Sequence, residues 1–255
     1  MKCYVVLPCF NEEKNIKQLI YAIDEILKPH IPYEIIAVND GSHDRTGEVL
    51  KDLSTEYSIK VLVHKVNLGL GAALRTGLIS AVNMASDDDF IVTMDSDNTH
   101  NPKHILDMVA SLKDADIVVG SRYVDGGKQL NVPLHRVILS KGINFLVKSL
   151  FRLPVKDATS GFRCFRAYLL KFLYSTFKGD LIESRGFVAS LELLLKASRF
   201  GGAVKEVPIF LDYGKKGGVS KMRLLSTIYG YLTLIFKFKF LNNLKCSNQF
   251  RFLFE

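Results

Sequence analysis

The stretch from Phe90 to Pro102, FIVTMDSDNTHNP, indicates the fold of this chain more directly than any other part of the sequence. Its first residues are apolar and rich in β-branched side chains, which is typical of a buried strand. Asp95 and Asp97 follow directly, and Pro102 suits the first turn of a helix. A buried strand that ends in acidic side chains predicts an α/β sheet with a ligand crevice at the carboxyl ends of its strands.

The two carboxylates are hard oxygen ligands at the expected crevice. Such a pair suits Mg²⁺ or Mn²⁺ that carries the phosphates of a substrate. An Asx-rich turn that caps the next helix is the alternative, because Asp, Ser and Asn are also favoured turn residues. Both interpretations stay open on this stretch alone.

Strands and helices alternate on both sides of this stretch. The predicted strands are Lys2 to Leu7, Tyr33 to Val38, Ile59 to His64 and Ile117 to Gly120. The predicted helices are Glu12 to Leu27, Arg45 to Leu53, Ala72 to Ala85 and Pro102 to Leu112. We expect Pro8 to stop the first strand. The alternation predicts a mostly parallel sheet flanked by helices, with right-handed crossovers.

The alternation ends after Arg122. The pattern then predicts three helices, one over Leu134 to Phe151, one that begins at about Arg166, and one over Phe187 to Phe200. It predicts a loop over Asp157 to Arg163. One or two strands are predicted over Ala203 to Tyr213, with a break at Pro208. No repeat or linker marks a second independent domain. We therefore predict one α/β domain over residues 1–213 and a basic C-terminal segment over residues 214–255.

Composition and charge exclude a disordered or fibrous chain, because 255 residues with 48% apolar side chains can bury a full core. The formal net charge of +8 is divided unevenly along the chain. Residues 1–121 carry a net charge of −7 and residues 122–255 carry +15. An acidic first half is compatible with metal binding and a basic second half with an anionic partner. We expect no nucleic-acid partner.

The cysteines and the N-terminus bear on the compartment. The four cysteines include no CxxC pair and no accompanying histidine spacing, which argues against structural zinc and favours reduced thiols. The apolar run from Tyr4 to Phe10 is too short for a signal peptide. We therefore expect the chain on the cytoplasmic side.

Two further strand ends carry polar motifs, PCFNE at residues 8–12 and NDGS at residues 39–42. Glu12 and Asp40 thus join the acidic pair at one rim of the predicted sheet. Asp40 alone is equally well explained as a helix cap. The occurrence of all four carboxylates at one rim favours a binding site.

Taken in order, PCFNE, NDGS, DSD and Gly120-Ser121-Arg122 resemble the inverting, family 2 nucleotide-sugar glycosyltransferases with a GT-A fold. Three later segments resemble the branch that makes dolichol-phosphate mannose and its polyprenyl-phosphate relatives. They are DATSGFR at residues 157–163, SRGF at residues 184–187 with Glu192 after it, and GVSK at residues 218–221. The resemblance covers about residues 3 to 235.

The resemblance implies a role for each matched residue. It implies that the nucleotide is held by Pro8, Phe10, Asn11, Glu12, Asp40, Ser42 and Asp95. It implies that the metal is held by Asp95, Asp97 and Thr99. It also implies that the acceptor phosphate is held by Arg122, Arg136 and Ser140. The catalytic set is then Asp97, Arg122, Arg136 and Ser140. The implied donor is a nucleotide sugar, GDP-mannose or a UDP-sugar, and the implied acceptor is a dolichyl or undecaprenyl phosphate.

The chain also departs from the family pattern. Thr99 stands where the family has a metal-site glutamine, and Asn39 stands in the family's acidic pair with Asp40. The family's arginine before the GxSK segment is missing, and Lys215 or Lys216 is the nearest cation. Lysine binds phosphate as a point charge without the bidentate fork of arginine.

Elementary chemistry also favours a phosphate acceptor. A phosphate monoester is already ionised near neutral pH, so it needs cations for its placement and no general base. The cations that fit such an acceptor are Arg122, Arg136, Lys141, Lys148, Arg152, Lys156 and Arg163. A solvated helix face is the alternative explanation for this cluster.

Three other functions stay open. A family 2 transferase that acts on a glycan hydroxyl would need a base, for which Asp157 is the visible candidate. A sugar-1-phosphate nucleotidyltransferase would carry a Gly-rich, Arg-containing loop after its first strand, which PCFNE is not. A non-catalytic module could bind a nucleotide sugar without turnover.

The stretch from Leu224 to Phe236 is the most apolar part of the chain. Its 13 residues are fewer than the roughly 20 that span a bilayer. Lys221, Arg223, Lys237 and Lys239 border it, which suits an amphipathic helix on anionic lipid at the cytoplasmic face of a membrane. A helix packed on the core of its own domain is the alternative.

Overall fold

Seven strands form one sheet in the computed structural model, which describes residues 1–218 and 224–241. Numbered in chain order, the strands of the structure are β1 (Cys3–Cys9), β2 (Tyr33–Asp40), β3 (Ile59–His64), β4 (Phe90–Thr93), β5 (Ile117–Ser121), β6 (Lys128–Leu130), β7 (Arg163–Arg166), β8 (Val204–Pro208) and β9 (Phe210–Asp212). The large sheet has the order β3-β2-β1-β4-β7-β5-β8, and β6 pairs with β9 in a small parallel sheet. Only β7 among the described strands of the large sheet runs antiparallel to its neighbours.

Helices cover both faces of the large sheet. They are α1 (Ile16–Leu27), α2 (Thr46–Leu53), α3 (Leu70–Met84), α4 (His104–Ser111), α5 (Leu134–Phe151), α6 (Ala167–Thr176), α7 (Val188–Arg199) and α8 (Leu224–Phe236). Successive residues of β1 point to opposite faces, so Val5 packs with α1, α2 and α4 while Val6 packs with α3, α7 and α8. The predicted α/β sheet flanked by helices is confirmed.

The predicted end of the first strand is wrong, because β1 continues through Pro8 to Cys9. Val6 is the last residue of β1 that pairs with β4, whereas pairing with β2 continues to Cys9. Pro8 faces the β4 side, where its carbonyl accepts a hydrogen bond from Ser96. The missing N–H of Pro8 therefore breaks no ladder hydrogen bond.

The sequence pattern missed β7 and β6. Strand β7 is four residues long, begins and ends with arginine, and lies between β4 and β5 through long-range pairing. Arg163, predicted as the end of a loop, is its first residue and pairs with Thr93 at the carboxyl end of β4. Because β7 is antiparallel, the loop that precedes it lies at the carboxyl edge of the parallel strands.

Helix α8 has one buried and one exposed side. Tyr231, Leu234 and Ile235 are buried in the core that α3 and α7 share, whereas Leu225 and Tyr229 are exposed. Among the described helices, none is both long and apolar enough to cross a bilayer. The division at residue 213 stays a prediction, and Val219, Ser220, Lys221, Arg223 and Cys246 lie outside the described residues.

Two glycines at the start of α3 allow a close approach of the segment that carries SRGF. Gly69 has φ of 93°, a conformation that favours glycine, and the N–H of Gly71 donates a hydrogen bond to the carbonyl of Arg185 at 3.1 Å. A Cβ atom on Gly71 would lie 1.8 Å from the Ser184 carbonyl oxygen. Glycine at position 71 is therefore required by the packing of residues 184–185 on α3.

Gly71→Ala is expected to lower the free energy of unfolding by about 1 to 3 kcal/mol, because the added methyl group overpacks this contact. Urea denaturation followed by circular dichroism measures the change. Gly142→Ala in α5 is the matched control, since a Cβ there meets nothing within 4 Å. That control is expected to gain about 0.5 to 1 kcal/mol. Equal effects of the two substitutions would contradict the packing explanation.

Candidate active site

A cavity of about 470 Å³ lies at the carboxyl ends of β1, β2 and β4, where the sequence predicts a site. Its lining includes six of the predicted site residues: Pro8, Phe10, Glu12, Asp40, Asp95 and Asp97. The parallel strands thus bring four carboxylates to one rim. Arg185, Phe187 and Lys216 form the other side of the same cavity, hereafter the first cavity.

Asn11 and Ser42 join the loops beside the first cavity and are not part of its lining. The backbone N–H of Asn11 donates to the Ser42 hydroxyl at 3.0 Å, and the N–H of His43 donates to the Asn11 side chain at 2.8 Å. Glu12, which does line the cavity, accepts a hydrogen bond from Asn15 at 2.6 Å. The loops after β1 and β2 therefore hold each other in place.

Asp40 is not the cap of the helix that follows β2, whose N-cap position is Arg45, but it holds the turn before α3. Its carboxylate accepts hydrogen bonds from the backbone N–H groups of Leu68 and Gly69 at 2.9 and 2.8 Å, just before α3. It also contacts Nδ1 of His64 at 2.7 Å, and it lines the first cavity. Asp40 thus fixes the turn into α3 and presents a fixed carboxylate to the cavity.

Asp95 and Asp97 differ in their surroundings. Asp97 accepts hydrogen bonds from the Thr99 hydroxyl at 2.6 Å and backbone N–H at 3.2 Å, and its other oxygen forms an ion pair with Lys216. Within residues 1–218 and 224–241, no group donates a hydrogen bond to Asp95. The Asp95 carboxylate is therefore the one member of the pair whose charge lacks a direct partner in the described part of the chain.

The pKa values of the pair reflect this difference. Burial and the neighbouring Asp97 carboxylate raise the pKa of Asp95 to about 6. Burial would also raise the pKa of Asp97, but the Lys216 ammonium and the Thr99 hydroxyl hold it below its ordinary value. Asp97 in turn raises the pKa of Lys216 in spite of the burial of that lysine. Additional positive charge beside Asp95 would stabilise its ionised form.

These residues fit a divalent metal ion. Two adjacent carboxylates, one of them without a donor, and the Thr99 hydroxyl provide oxygen ligands. The described residues contain no cluster of three His, Cys, Asp or Glu side chains that suits a metal. The remaining ligands would then be water and the phosphate oxygens of a substrate, which is how Mg²⁺ is often held.

A second cavity, of about 150 Å³, adjoins the first one. Asp95, Asp97, Phe187, Lys216 and Thr227 line both cavities. The lining of the second cavity also includes Thr99 and the three predicted acceptor residues, Arg122, Arg136 and Ser140. The structure thus brings the predicted metal and acceptor residues together in the lining of the second cavity.

Arg122 is anchored by a buried ion pair. Its Nε and Nη2 atoms each donate to Asp157 at 2.7 Å, and its backbone N–H donates to the same carboxylate at 3.0 Å. Nη2 also donates to Ser140 at 3.1 Å and to Thr159 at 2.9 Å. This network fixes Arg122 and Ser140 in the wall of the second cavity.

Asp157 is unsuited to the role of a general base. Its side chain is 0% exposed, and its two oxygens accept the hydrogen bonds from Arg122. Although burial alone would raise the pKa of Asp157, the Arg122 guanidinium holds it below its ordinary value. The carboxylate that a hydroxyl-acceptor mechanism would need is therefore buried and weakly basic.

The other predicted cations separate into three groups. Arg136 lines the second cavity and donates a hydrogen bond to the Tyr213 hydroxyl. Arg163 is buried behind the cavity and donates to the carbonyls of Ala158 and Ser190. The exposed members of the cluster are Lys141, Lys148, Arg152 and Lys156. Only Arg122 and Arg136 of the predicted cluster therefore reach the cavity.

Sequence reasoning missed several residues of these cavities. Tyr213 and Phe187 were not singled out for a role, and the choice between Lys215 and Lys216 stayed open. Lys215 is exposed, whereas Lys216 contacts Asp97. The position just before the GxSK segment was the sequence feature that pointed to a cation here. It did not distinguish between the two adjacent lysines.

His100 also lines the second cavity. It is buried, its ring lies 5.0 Å from that of Phe162, and its Nδ1 has no hydrogen-bond partner among the described residues. Burial lowers the pKa of His100 to about 4, so its imidazole is neutral at physiological pH.

Known proteins resemble this chain in sequence. A dolichol-phosphate mannosyltransferase of Pyrococcus furiosus is 35% identical over 242 residues, which cover 93% of this chain and 63% of that protein. The chain thus spans less than two thirds of that relative. A polyprenol monophosphomannose synthase of Mycolicibacterium smegmatis is 31% identical over 223 residues, which cover 86% of this chain and 80% of that protein.

Solved structures share the fold. Glucosyl-3-phosphoglycerate synthase from Mycobacterium tuberculosis, crystallised with Mn²⁺, UDP and phosphoglyceric acid, superposes with a TM-score of 0.68 at 20% identity. The match covers 93% of this chain and 78% of that one. The seven-stranded sheet flanked by helices is therefore the predicted GT-A fold. The model of glycosyl transferase family 2 matches residues 4–173. The chain belongs to glycosyltransferase family 2.

Proposed function

We propose that this protein transfers a sugar, mannose in the first instance, from a nucleotide sugar to a polyprenyl phosphate with inversion. The observation that carries the proposal is the junction of the two cavities at Asp95, Asp97 and Lys216. One cavity offers the rim for a nucleotide, and the other offers Arg122 and Arg136 for an anion. The names of the mannosyltransferase relatives support mannose and a polyprenyl phosphate.

The donor is assigned to the first cavity. Pro8, Phe10, Glu12 and Asp40 lie at the end that suits the base and ribose, and Asp95 and Asp97 lie at the diphosphate end. The Mn²⁺ and UDP in the structural neighbour support a divalent metal at this end. When bound, Mg²⁺ or Mn²⁺ would supply positive charge to the diphosphate as its bond to the sugar breaks. Lys216 adds a second positive charge at the same place.

The acceptor phosphate is assigned to the second cavity, held by Arg122, Arg136 and Ser140. An oxygen of this phosphate would form a bond to the anomeric carbon as the bond from that carbon to the nucleotide diphosphate breaks. No proton needs to be removed from the attacking group, because the phosphate is already ionised. The buried, ion-paired state of Asp157 counts against a hydroxyl acceptor that would need this residue as a base.

A membrane surface is the proposed location of the acceptor. Helices α5 and α8 pack against each other and expose large apolar side chains on the side away from the core. These side chains are Leu134, Ile138 and Phe145 of α5 and Leu225, Tyr229, Leu232 and Phe236 of α8. We name this set the α5–α8 face.

Charge and position favour anionic lipid as the partner of the α5–α8 face. The exposed cations Lys141 and Lys148 lie on α5, and the exposed Lys239 lies in the segment that follows α8. The inner sides of the same helices, through Ile143 and Tyr231, line the second cavity. A lipid phosphate could then reach Arg136 while its prenyl chain stays in the bilayer. The cytoplasmic face of the membrane stays a prediction.

The proposed reaction is tested with purified protein, Mn²⁺, labelled nucleotide sugars and a short polyprenyl phosphate. Label from GDP-mannose is expected to appear in the organic phase. This transfer is expected to stop when EDTA chelates the metal and to resume when Mn²⁺ is added back. Asp97→Asn is expected to lower the rate by roughly a hundredfold, whereas the exposed Asp88→Asn serves as the control. Transfer to a soluble glycan but not to the lipid would favour a hydroxyl acceptor, and nucleotide binding without turnover would favour a binding module.

Lys216 provides a separate test of the diphosphate end. Lys216→Ala is expected to lower kcat/KM for the donor by roughly ten- to a hundredfold, because a positive charge beside the leaving diphosphate is lost. Lys215→Ala is the adjacent control, since that side chain is exposed, and its rate is expected to stay within about twofold of the unmodified protein. Steady-state kinetics with varied donor measures both. Equal losses in the two variants would count against the assignment of Lys216.

The α5–α8 face is tested by vesicle co-sedimentation. Replacing Leu225 and Tyr229 by glutamate is expected to weaken association with vesicles that contain anionic lipid by about tenfold or more, because apolar area is lost and negative charge is added. The matched control replaces Val63 and Val66, two exposed residues at the β3 edge, by glutamate. Similar loss in both double variants would mean that net charge alone governs binding.

A further inference from the structure

Tyr213 contacts two cations of the candidate site, Arg136 and Lys216. It lines the second cavity and begins the short turn Tyr213–Lys215 after β9. The guanidinium carbon of Arg136 and the ammonium nitrogen of Lys216 each lie 5.3 Å from the centroid of its ring. Its hydroxyl also accepts a hydrogen bond from Nη1 of Arg136. One side chain thus contacts both the acceptor-side and the donor-side cation.

The backbone on both sides of Tyr213 is anchored independently of its ring. The N–H of Asp212 donates to the carbonyl of Thr99 at 3.1 Å, and the Asp212 carboxylate accepts from Asn131 at 3.0 Å. Beyond Lys216, Gly217 donates to and accepts from the side chain of Asn15 at 3.0 and 2.9 Å. Removal of the ring is therefore expected to leave the course of this segment unchanged.

Two physical effects assign a role to the ring. The face of an aromatic ring is negative and attracts cations within about 6 Å, more strongly where they are shielded from water. Arg136 and Lys216 are both positive and each lies 5.3 Å from the same ring centroid, so they are close enough to repel each other at an energetic cost. The ring reduces this cost, and the hydroxyl fixes the direction of the Arg136 guanidinium.

We propose that Tyr213 is a positioning residue that holds Arg136 toward the acceptor phosphate and Lys216 toward the leaving diphosphate. This inference rests on the proposed function. The hydroxyl serves the acceptor side alone, whereas the ring serves both sides. Loss of the ring would let Lys216 move away from the diphosphate position or close more tightly on Asp97, and either change weakens nucleotide binding.

Two variants separate these contributions. Tyr213→Phe keeps the ring and removes the hydroxyl, and Tyr213→Leu removes both. Calorimetry measures binding of farnesyl phosphate and of GDP or UDP with Mn²⁺ to the full chain, and steady-state kinetics measures KM and kcat where transfer occurs. Tyr21→Leu on the exposed side of α1 is the control for loss of a surface tyrosine.

Tyr213→Phe is expected to weaken farnesyl phosphate binding by roughly three- to tenfold and to leave nucleotide binding unchanged. Tyr213→Leu is expected to weaken both by a similar factor, seen in KM for both substrates more than in kcat. Unchanged binding of both ligands by Tyr213→Leu would overturn the proposal, as would equal effects of Tyr213→Phe on both. Failure of the unmodified protein to bind farnesyl phosphate would instead overturn the proposed acceptor.

Discussion

The placement of four carboxylates at one edge of a parallel sheet is the constraint on which the rest of the site depends. Three of them are compensated within the protein: Glu12 by Asn15, Asp40 by backbone N–H groups, and Asp97 by Lys216 and Thr99. Asp95 has no such donor among the described residues, and its pKa is raised accordingly. A carboxylate shielded from water without a partner is costly, so a cation placed beside Asp95 would lower the cost of its charge.

The antiparallel strand β7 determines what faces that edge. Because β7 runs against its neighbours, the loop before it reaches the same rim as the ends of β4 and β5. This loop carries Asp157, which fixes Arg122. The same ion pair has two consequences: it aligns a cation on the acceptor side, and it makes the only carboxylate that the sequence offered as a base weakly basic. The position of Arg122 in the second cavity and the weak basicity of Asp157 therefore have one structural cause.

The sequence predicts those helices and strands that local patterns determine, and it does not predict the strand that depends on long-range pairing. Helix α5 has its predicted bounds, and the strand ends that carry Glu12, Asp40 and Asp95 meet as expected. Strand β7 was missed because its four residues include two arginines and gain their stability from β4 and β5. The pattern predicts a strand end at Pro8 because it does not reveal on which side of β1 pairing has already stopped.

The site residues follow the same rule. Asp95 and Asp97 are predicted because carboxylates at a strand end have a recognisable chemistry, and Arg122 and Arg136 follow from the family resemblance; the structure brings all four to the lining of the second cavity. Tyr213 was missed because its contacts with Arg136 and Lys216 join residues 77 and 3 positions away, and only the fold shows that these meet. The adjacent residues Lys215 and Lys216 are likewise indistinguishable in the sequence. In the structure Lys215 ends the short turn, and Lys216, the next residue, contacts Asp97.

The division of charge along the chain has a counterpart in the two cavities. The acidic first half supplies the carboxylates of the first cavity, and the basic second half supplies Arg122, Arg136 and Lys216. Asp157 and Asp97 already pair with Arg122 and Lys216, but a neutral acceptor that displaced water from the second cavity would still remove hydration from these cations and add no negative charge in its place. An acceptor that carries its own negative charge removes that cost. On the proposed function, the site therefore discriminates against a hydroxyl acceptor in two ways. The cations attract the phosphate, and a neutral acceptor incurs the desolvation penalty of those cations.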